Sequence, residues 1–137
     1  MIAPRYLLDT NICIHIRQDR RFEITERFRA LKAGEAAISV ISYGELAYGA
    51  EKSRHREAAE KGLADLLSLL PILPLSEASG QLYGSLRAEL ARKGTLISSN
   101  DLWTAAHALT ANLVLVTTNE GEFRRLPRLR MENWAAR

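Results

Sequence analysis

A chain of 137 residues that is 47% hydrophobic and 26% charged fits one compact domain, 1–137, with a core that needs no cross-link. Its single cysteine, Cys13, excludes an intramolecular disulfide and a cysteine-based zinc site. The net charge of +3 permits a polyanionic partner without requiring one. The apolar start of the chain is cut by Asp9 and has no cleavage-site pattern, and the longest apolar runs fall short of a membrane span, so the expectation is a cytoplasmic protein with no membrane contact.

Tyr6-Leu7-Leu8 predicts a short buried strand that stops at Asp9, and Thr10 to Arg17 a short helix capped by Asp9 or Thr10. Apolar residues at 24, 28 and 31 give helical spacing over Phe22 to Lys32, ended by Gly34. Ala36 to Val40 reads as a second strand, Ser42 to Glu51 as a helix, and Arg54 to Leu70 as a long amphipathic helix closed by Pro71. A short strand over Ile72 to Leu75 follows. Ser76 then caps a helix that carries Leu82, Leu86 and Leu90 and ends at Gly94. Ser99 to Asn112 is a helix with the stripe Leu102, Ala105, Ala106, Leu109; Leu113 to Thr117 is the clearest strand, and Met131 closes a last one. Short apolar strands that alternate with helices predict an α/β fold, a parallel sheet covered by helices on both faces.

The acids are informative through their isolation. Asp9 is the only charged residue between Tyr6 and Ile14, Glu45 between Ala36 and Ala50, and Asp101 between Gly94 and Asn119. Taken singly, each has a plain structural explanation: Asp9 and Asp101 as helix caps, Glu45 as the partner of a surface lysine. Taken together they do not, because no lysine or arginine lies in those segments to neutralise them. Asp9 ends the first strand and Asn119 follows the Leu113–Thr117 strand, so both belong at the carboxyl edge of a parallel sheet, where open α/β sheets bind ligands. Three carboxylates in one crevice repel one another unless a cation joins them, and an oxygen-only set favours Mg²⁺, with Mn²⁺ as its substitute, over zinc. That chemistry suits phosphodiester hydrolysis, in which the cation polarises a phosphoryl oxygen and activates water. One of the acids, Glu45 for example, can instead take the proton from water.

The motifs resemble those of the VapC-type PIN-domain ribonuclease toxins. The first is Leu7-Leu8-Asp9-Thr10-Asn11; the second runs from Ser42 through Glu45 to Ser53; the third runs from Asn100-Asp101 to Leu109; the fourth is Leu115-Val116-Thr117-Thr118-Asn119 with Glu122-Phe123 behind it. The closing Glu132-Asn133-Trp134 also fits, so the likeness spans about residues 5 to 134. The resemblance implies a three-layer α/β/α domain with a parallel, about five-stranded sheet. It implies a Mg²⁺-dependent endoribonuclease with Asp9, Glu45, Asp101 and Asn119 as its catalytic residues, the first three holding the metal. The implied partners are a VapB-type antitoxin, an RNA substrate such as tRNA (initiator tRNA included) and a second copy of the chain, with DNA met only through the antitoxin complex. Two positions depart from the family pattern. Asn119 stands where many relatives carry Asp, which removes a charge from a second-metal site, and Trp103 stands where a smaller aliphatic residue is usual; it packs on a neighbouring subunit or fills core.

Several neighbours carry two readings. Thr10, Asn11, Ser98 and Thr117 serve turns and caps, or they orient the carboxylates and water, Asn11 and Thr117 above all. His107, nearly two helical turns after Asp101 on an alanine-rich helix, reads as a structural histidine rather than a general base. Arg124 and Arg125, with Arg128 and Arg130, form either a solvated surface or a phosphate contact along RNA. The crowded helix around Glu45, with Tyr43, Leu46, Ala47 and Tyr48, offers a face to an antitoxin or a second copy. The competing function is a non-catalytic α/β interaction module whose acids hold a structural ion. An aspartyl phosphotransferase is disfavoured because Asn11-Ile12 stands where a second Asp is needed, and a DNA nuclease because there is no room for elements that grip a duplex.

Overall fold

The computed structural model describes residues 2–135. Its sheet is built from β1 (Tyr6–Leu8), β2 (Ala36–Ser39), β3 (Ile72–Leu73), β4 (Val114–Val116) and β5 (Met131–Glu132), all parallel, in the order β3-β2-β1-β4-β5. The helices are α1 (Thr10–Gln18), α2 (Phe22–Arg29), α3 (Val40–Glu51), α4 (Arg56–Leu67), α5 (Glu77–Lys93), α6 (Ser99–Ala111) and α7 (Glu120–Phe123).

The central strands β1 and β4 are apolar throughout because both faces are covered. Tyr6 and Leu8 join the core under α1, α2, α3 and α4, while Leu7 between them faces the core under α5, α6 and α7. Val116 and Leu115 divide the same way. Leu7, Leu8, Leu115 and Val116 are fully buried, each worth about 1.5–3 kcal/mol of transfer free energy. The chain is thus a three-layer α/β/α sandwich, as the alternation of strand and helix predicts.

Most boundaries are set by identifiable caps. The Ser39 hydroxyl accepts the Ile41 N–H, so α3 starts at Val40, ahead of the expected Ser42. Ser76 and Ser98 cap α5 and α6 in the same manner, and Gly94 and Asn112 close them in the left-handed region. Three expected elements are shorter than predicted and one element is new. α2 stops at Arg29 rather than Lys32. α4 covers only Arg56–Leu67, ending where the Ser68 hydroxyl bonds the Asp65 carbonyl. β3 shrinks to Ile72–Leu73 between Pro71 and Pro74, which donate no ladder bond. The turn of helix α7 has no counterpart in the sequence reading, since four residues are too few for a periodic stripe. Among the described residues no helix is long and apolar enough to cross a membrane.

The sheet order places the site. From β1 the chain moves outward to β2 and β3, then returns to the other side of β1 for β4 and β5. The order reverses between β1 and β4, so a crevice opens at the carboxyl ends of those two strands.

Candidate active site

Leu8 and Val116 are register partners, and the Asp9 N–H donates to the Val116 carbonyl at 2.9 Å. Asp9 and Thr117 therefore leave the sheet side by side at the reversal point. The Asp9 carboxylate, only 6% exposed, takes the Thr10 N–H on Oδ1 and the Thr117 hydroxyl on Oδ2, each at 2.8 Å. It caps α1 and also faces the crevice, so both sequence readings of this residue hold at once. Burial pushes the Asp9 carboxyl above its ordinary value; the Thr117 and Thr10 bonds pull it back, and the charges of Glu45 and Glu122 push it up again.

Glu45 reaches the same place from α3. Its Oε1 accepts the Thr10 hydroxyl at 2.6 Å, so Thr10 alone holds two acids of the set, Asp9 through its N–H and Glu45 through its hydroxyl. Asp101 stands in the first turn of α6, its N–H held by the Ser98 hydroxyl at 3.3 Å. Its carboxyl is pushed up to about 7, first by burial, then by its hydrogen bond with Glu122 and the charge of Asp9. Glu122 is held below its ordinary value, chiefly by that same bond. The two carboxyls thus shift in opposite directions, Asp101 up as the more buried and Glu122 down.

Glu122 is the acid that the sequence reading did not place in the site. It accepts the Ser98 N–H at 3.2 Å and the Asn119 side-chain amide at 2.9 Å, which locks α7 against the start of α6. The Asn-x-x-Glu spacing, an N-cap position followed three residues later by Glu, was the available signal. Asn119 lies at the mouth of the crevice with its amide turned to Glu122 and its N–H on the Thr117 hydroxyl at 2.9 Å.

Other candidates fall elsewhere. Asn11 is exposed in the first turn of α1 and bonds none of the described residues through its side chain. Arg125 donates to the Leu96 carbonyl at 2.8 Å and the Thr95 carbonyl at 3.4 Å, so it braces the α5–α6 connection. Arg124 is exposed and stands 4.0 Å from Glu120. His107 is buried away from the acids, its Nδ1 2.8 Å from the Ser39 hydroxyl, and burial holds its pKa low; it is structural, as read. Trp103 stacks on Tyr83 at 3.9 Å between ring centroids and so finds its partner within the chain.

Among the described residues no three Asp, Glu, His or Cys side chains stand close enough together to hold an ion. Asp9, Glu45 and Glu122 rest instead on local hydroxyls and N–H groups. The donor set nevertheless suits a hard divalent cation. It is oxygen throughout, burial and then the neighbouring acids raise both Asp9 and Asp101, and Asp9, Glu45, Asp101 and Glu122 take part in none of the ion pairs among the described residues.

The family model that matches the chain is the PIN domain, over residues 6–129. A ribonuclease VapC2 of Haemophilus influenzae is 43% identical over 130 residues, covering 95% of this chain and 98% of that protein. A tRNA(fMet)-specific endonuclease VapC of Salmonella typhimurium is 40% identical over 130 residues, at 95% and 98% coverage. The crystal structure of DNA-bound VapBC from Salmonella typhimurium superposes with a TM-score of 0.89 at 40% identity, covering 96% of this chain and 98% of that one.

Proposed function

The chain belongs to the PIN-domain family, and from that premise we propose that it is the ribonuclease toxin of a VapBC-type toxin–antitoxin pair, a metal-dependent endonuclease that cuts tRNA, initiator tRNA included, and so arrests translation. The observation that carries the reading is the row of acids along one crevice, with Asp9 fixed by Thr117 at the sheet's reversal point and Asp101 in the first turn of α6.

Asp9, Asp101 and Glu45 are the metal ligands in this reading, and Glu122 supports Asp101. Mg²⁺ is the assigned ion and Mn²⁺ its substitute, on the chemistry of an all-oxygen donor set. When bound, the ion supplies positive charge at a phosphoryl oxygen and makes nearby water more acidic. The chain does the rest. Thr10 and Thr117 fix both oxygens of Asp9, so the principal negative charge cannot swing away. Glu45, at the open side of the crevice, is the carboxylate available to take a proton from water. Asp101 would meet such an ion as a carboxylate, its position set by the Ser98 cap on its N–H. Asn119, uncharged, contributes by holding Glu122, which favours one ion over two. Arg124 is the cation assigned to phosphate contact, whereas Arg125 is committed to the Leu96 carbonyl.

The antitoxin of the pair is assigned to the groove between α3 and α4, about 330 Å³, lined by Tyr43, Ala47, Leu63, Ala64 and Leu67 with Glu51 and Glu60 at its rim. An amphipathic helix suits that lining through its apolar face, since Glu51 and Glu60 are already paired with Arg56. The toxin is a single cytoplasmic domain that acts as a homodimer and meets DNA only through the antitoxin complex. Purified protein incubated with tRNA tests the reading: cleavage requires Mg²⁺, stops with EDTA, and is blocked by the small protein encoded beside it. Cleavage indifferent to EDTA contradicts it.

A further inference from the structure

Glu45 borders a second feature. Val40, Ile41, Gly44, Glu45 and Tyr48 of α3, with Asn100 of α6, line an open groove of about 370 Å³. Its outer wall is the Tyr48 ring, 65% exposed, and the Lys52 ammonium stands 4.8 Å from that ring's centroid. Lys52 enters no ion pair among the described residues. A Cβ placed on Gly44 meets nothing within 4 Å, so the helix wall beside Glu45 is bare backbone open to close approach. Asn100 is exposed, its side-chain amide bonds none of the described residues, and it immediately precedes Asp101. The groove therefore runs directly off the acid crevice, between Glu45 and the helix that carries Asp101.

These groups form one chemical set. A solvent-facing aromatic ring offers a stacking platform to any base, an ammonium that lies over one face of that ring and enters no ion pair attracts a phosphate, and an unpaired amide can donate to and accept from a base edge. A purely apolar interface would not keep a carboxylate in its lining and a lone cation at its rim. We propose that this groove seats an unpaired nucleotide beside the cleaved phosphodiester. Tyr48 stacks on the base, Lys52 holds the adjoining phosphate, and the Asn100 amide reads the base edge and so sets a preference at one position. The assignment rests on the ribonuclease reading of the neighbouring acids and names the part of the substrate that they act beside.

The test uses the full chain and a fluorescein-labelled, unstructured RNA decamer of mixed sequence. Binding is read by anisotropy in EDTA and cleavage by product analysis in Mg²⁺. Tyr48→Leu raises the dissociation constant about tenfold, the loss expected for one stacked base, and raises KM by more than it lowers kcat. Tyr48→Phe keeps the ring and stays near wild type. Asn100→Ala flattens the base preference at one position flanking the cut. Wild-type binding and KM in Tyr48→Leu overturn the proposal. So does a wild-type dimer that Tyr48→Leu converts to monomer, with activity recovered at high protein concentration, because the groove is then an interface between copies. Wild-type protein that binds the decamer through Tyr48 but cuts no RNA in Mg²⁺ retains the groove and removes the ribonuclease reading; cleavage without any Tyr48 dependence does the reverse.

Discussion

The Thr117 hydroxyl donates to Asp9 Oδ2 at 2.8 Å while accepting the Asn119 N–H at 2.9 Å, so one buried side chain at the end of β4 orients the acid at the end of β1. Thr117→Val keeps the shape and removes both bonds. Asp9 then has one fixed oxygen rather than two, and the Asn119 N–H loses its partner. Metal affinity is expected to fall about 10- to 100-fold, with kcat/KM falling alongside. Mn²⁺ titration by calorimetry checks the first and RNA cleavage the second; a variant with wild-type Mn²⁺ affinity removes Thr117 from the site.

Asp101 sets a pH dependence of stability. Its carboxyl lies at about 7 in the folded chain against an ordinary 3.8. A group raised on folding stabilises the fold below its unfolded value and loses that contribution as pH rises through the folded one. Metal-free Asp101→Asn is therefore expected to melt a few degrees above wild type at pH 8, a difference on the order of 1 kcal/mol that shrinks towards pH 4. Melting curves in EDTA at both values measure it. An Asn variant less stable at pH 8 contradicts the raised Asp101 carboxyl.

Glu122→Gln preserves an acceptor for the Ser98 N–H but removes a negative charge beside Asp101 that would help to hold a cation. Cleavage is expected to fall at least about tenfold, with the melting temperature within a few degrees of wild type because Glu122 is not buried. A fully active variant shows that Glu122 only ties α7 to α6.

The two arginines separate by role. Arg125→Ala loses the bonds to the Leu96 and Thr95 carbonyls and is expected to lower stability by about 1 kcal/mol. Arg124→Ala leaves the melting temperature alone and reduces the salt dependence of RNA binding by about one phosphate contact. Thermal melts and anisotropy across a salt series distinguish them.

What was legible in the sequence follows from physics. Asp9, Glu45 and Asp101 could be found because each is a lone charge in an apolar or neutral segment, and the parallel sheet could be found because its strands are apolar on both faces. Thr117 was visible as the polar residue that ends β4. Glu122 was hidden because Glu120, Arg124 and Arg125 crowd around it and α7 is too short to show a period. The fate of Arg125 was also hidden: its partners are backbone carbonyls, which leave no mark on composition.

The central claim is that the acids around Asp9 cut RNA with the help of a divalent cation. Its most direct test is to sequence RNA 5′ ends after brief induction of the wild-type chain and of Asp9→Ala. The account predicts a small set of new ends, concentrated in tRNA, that appear with the wild type and vanish in the variant. The same ends in both, from equally expressed and folded proteins, contradict it.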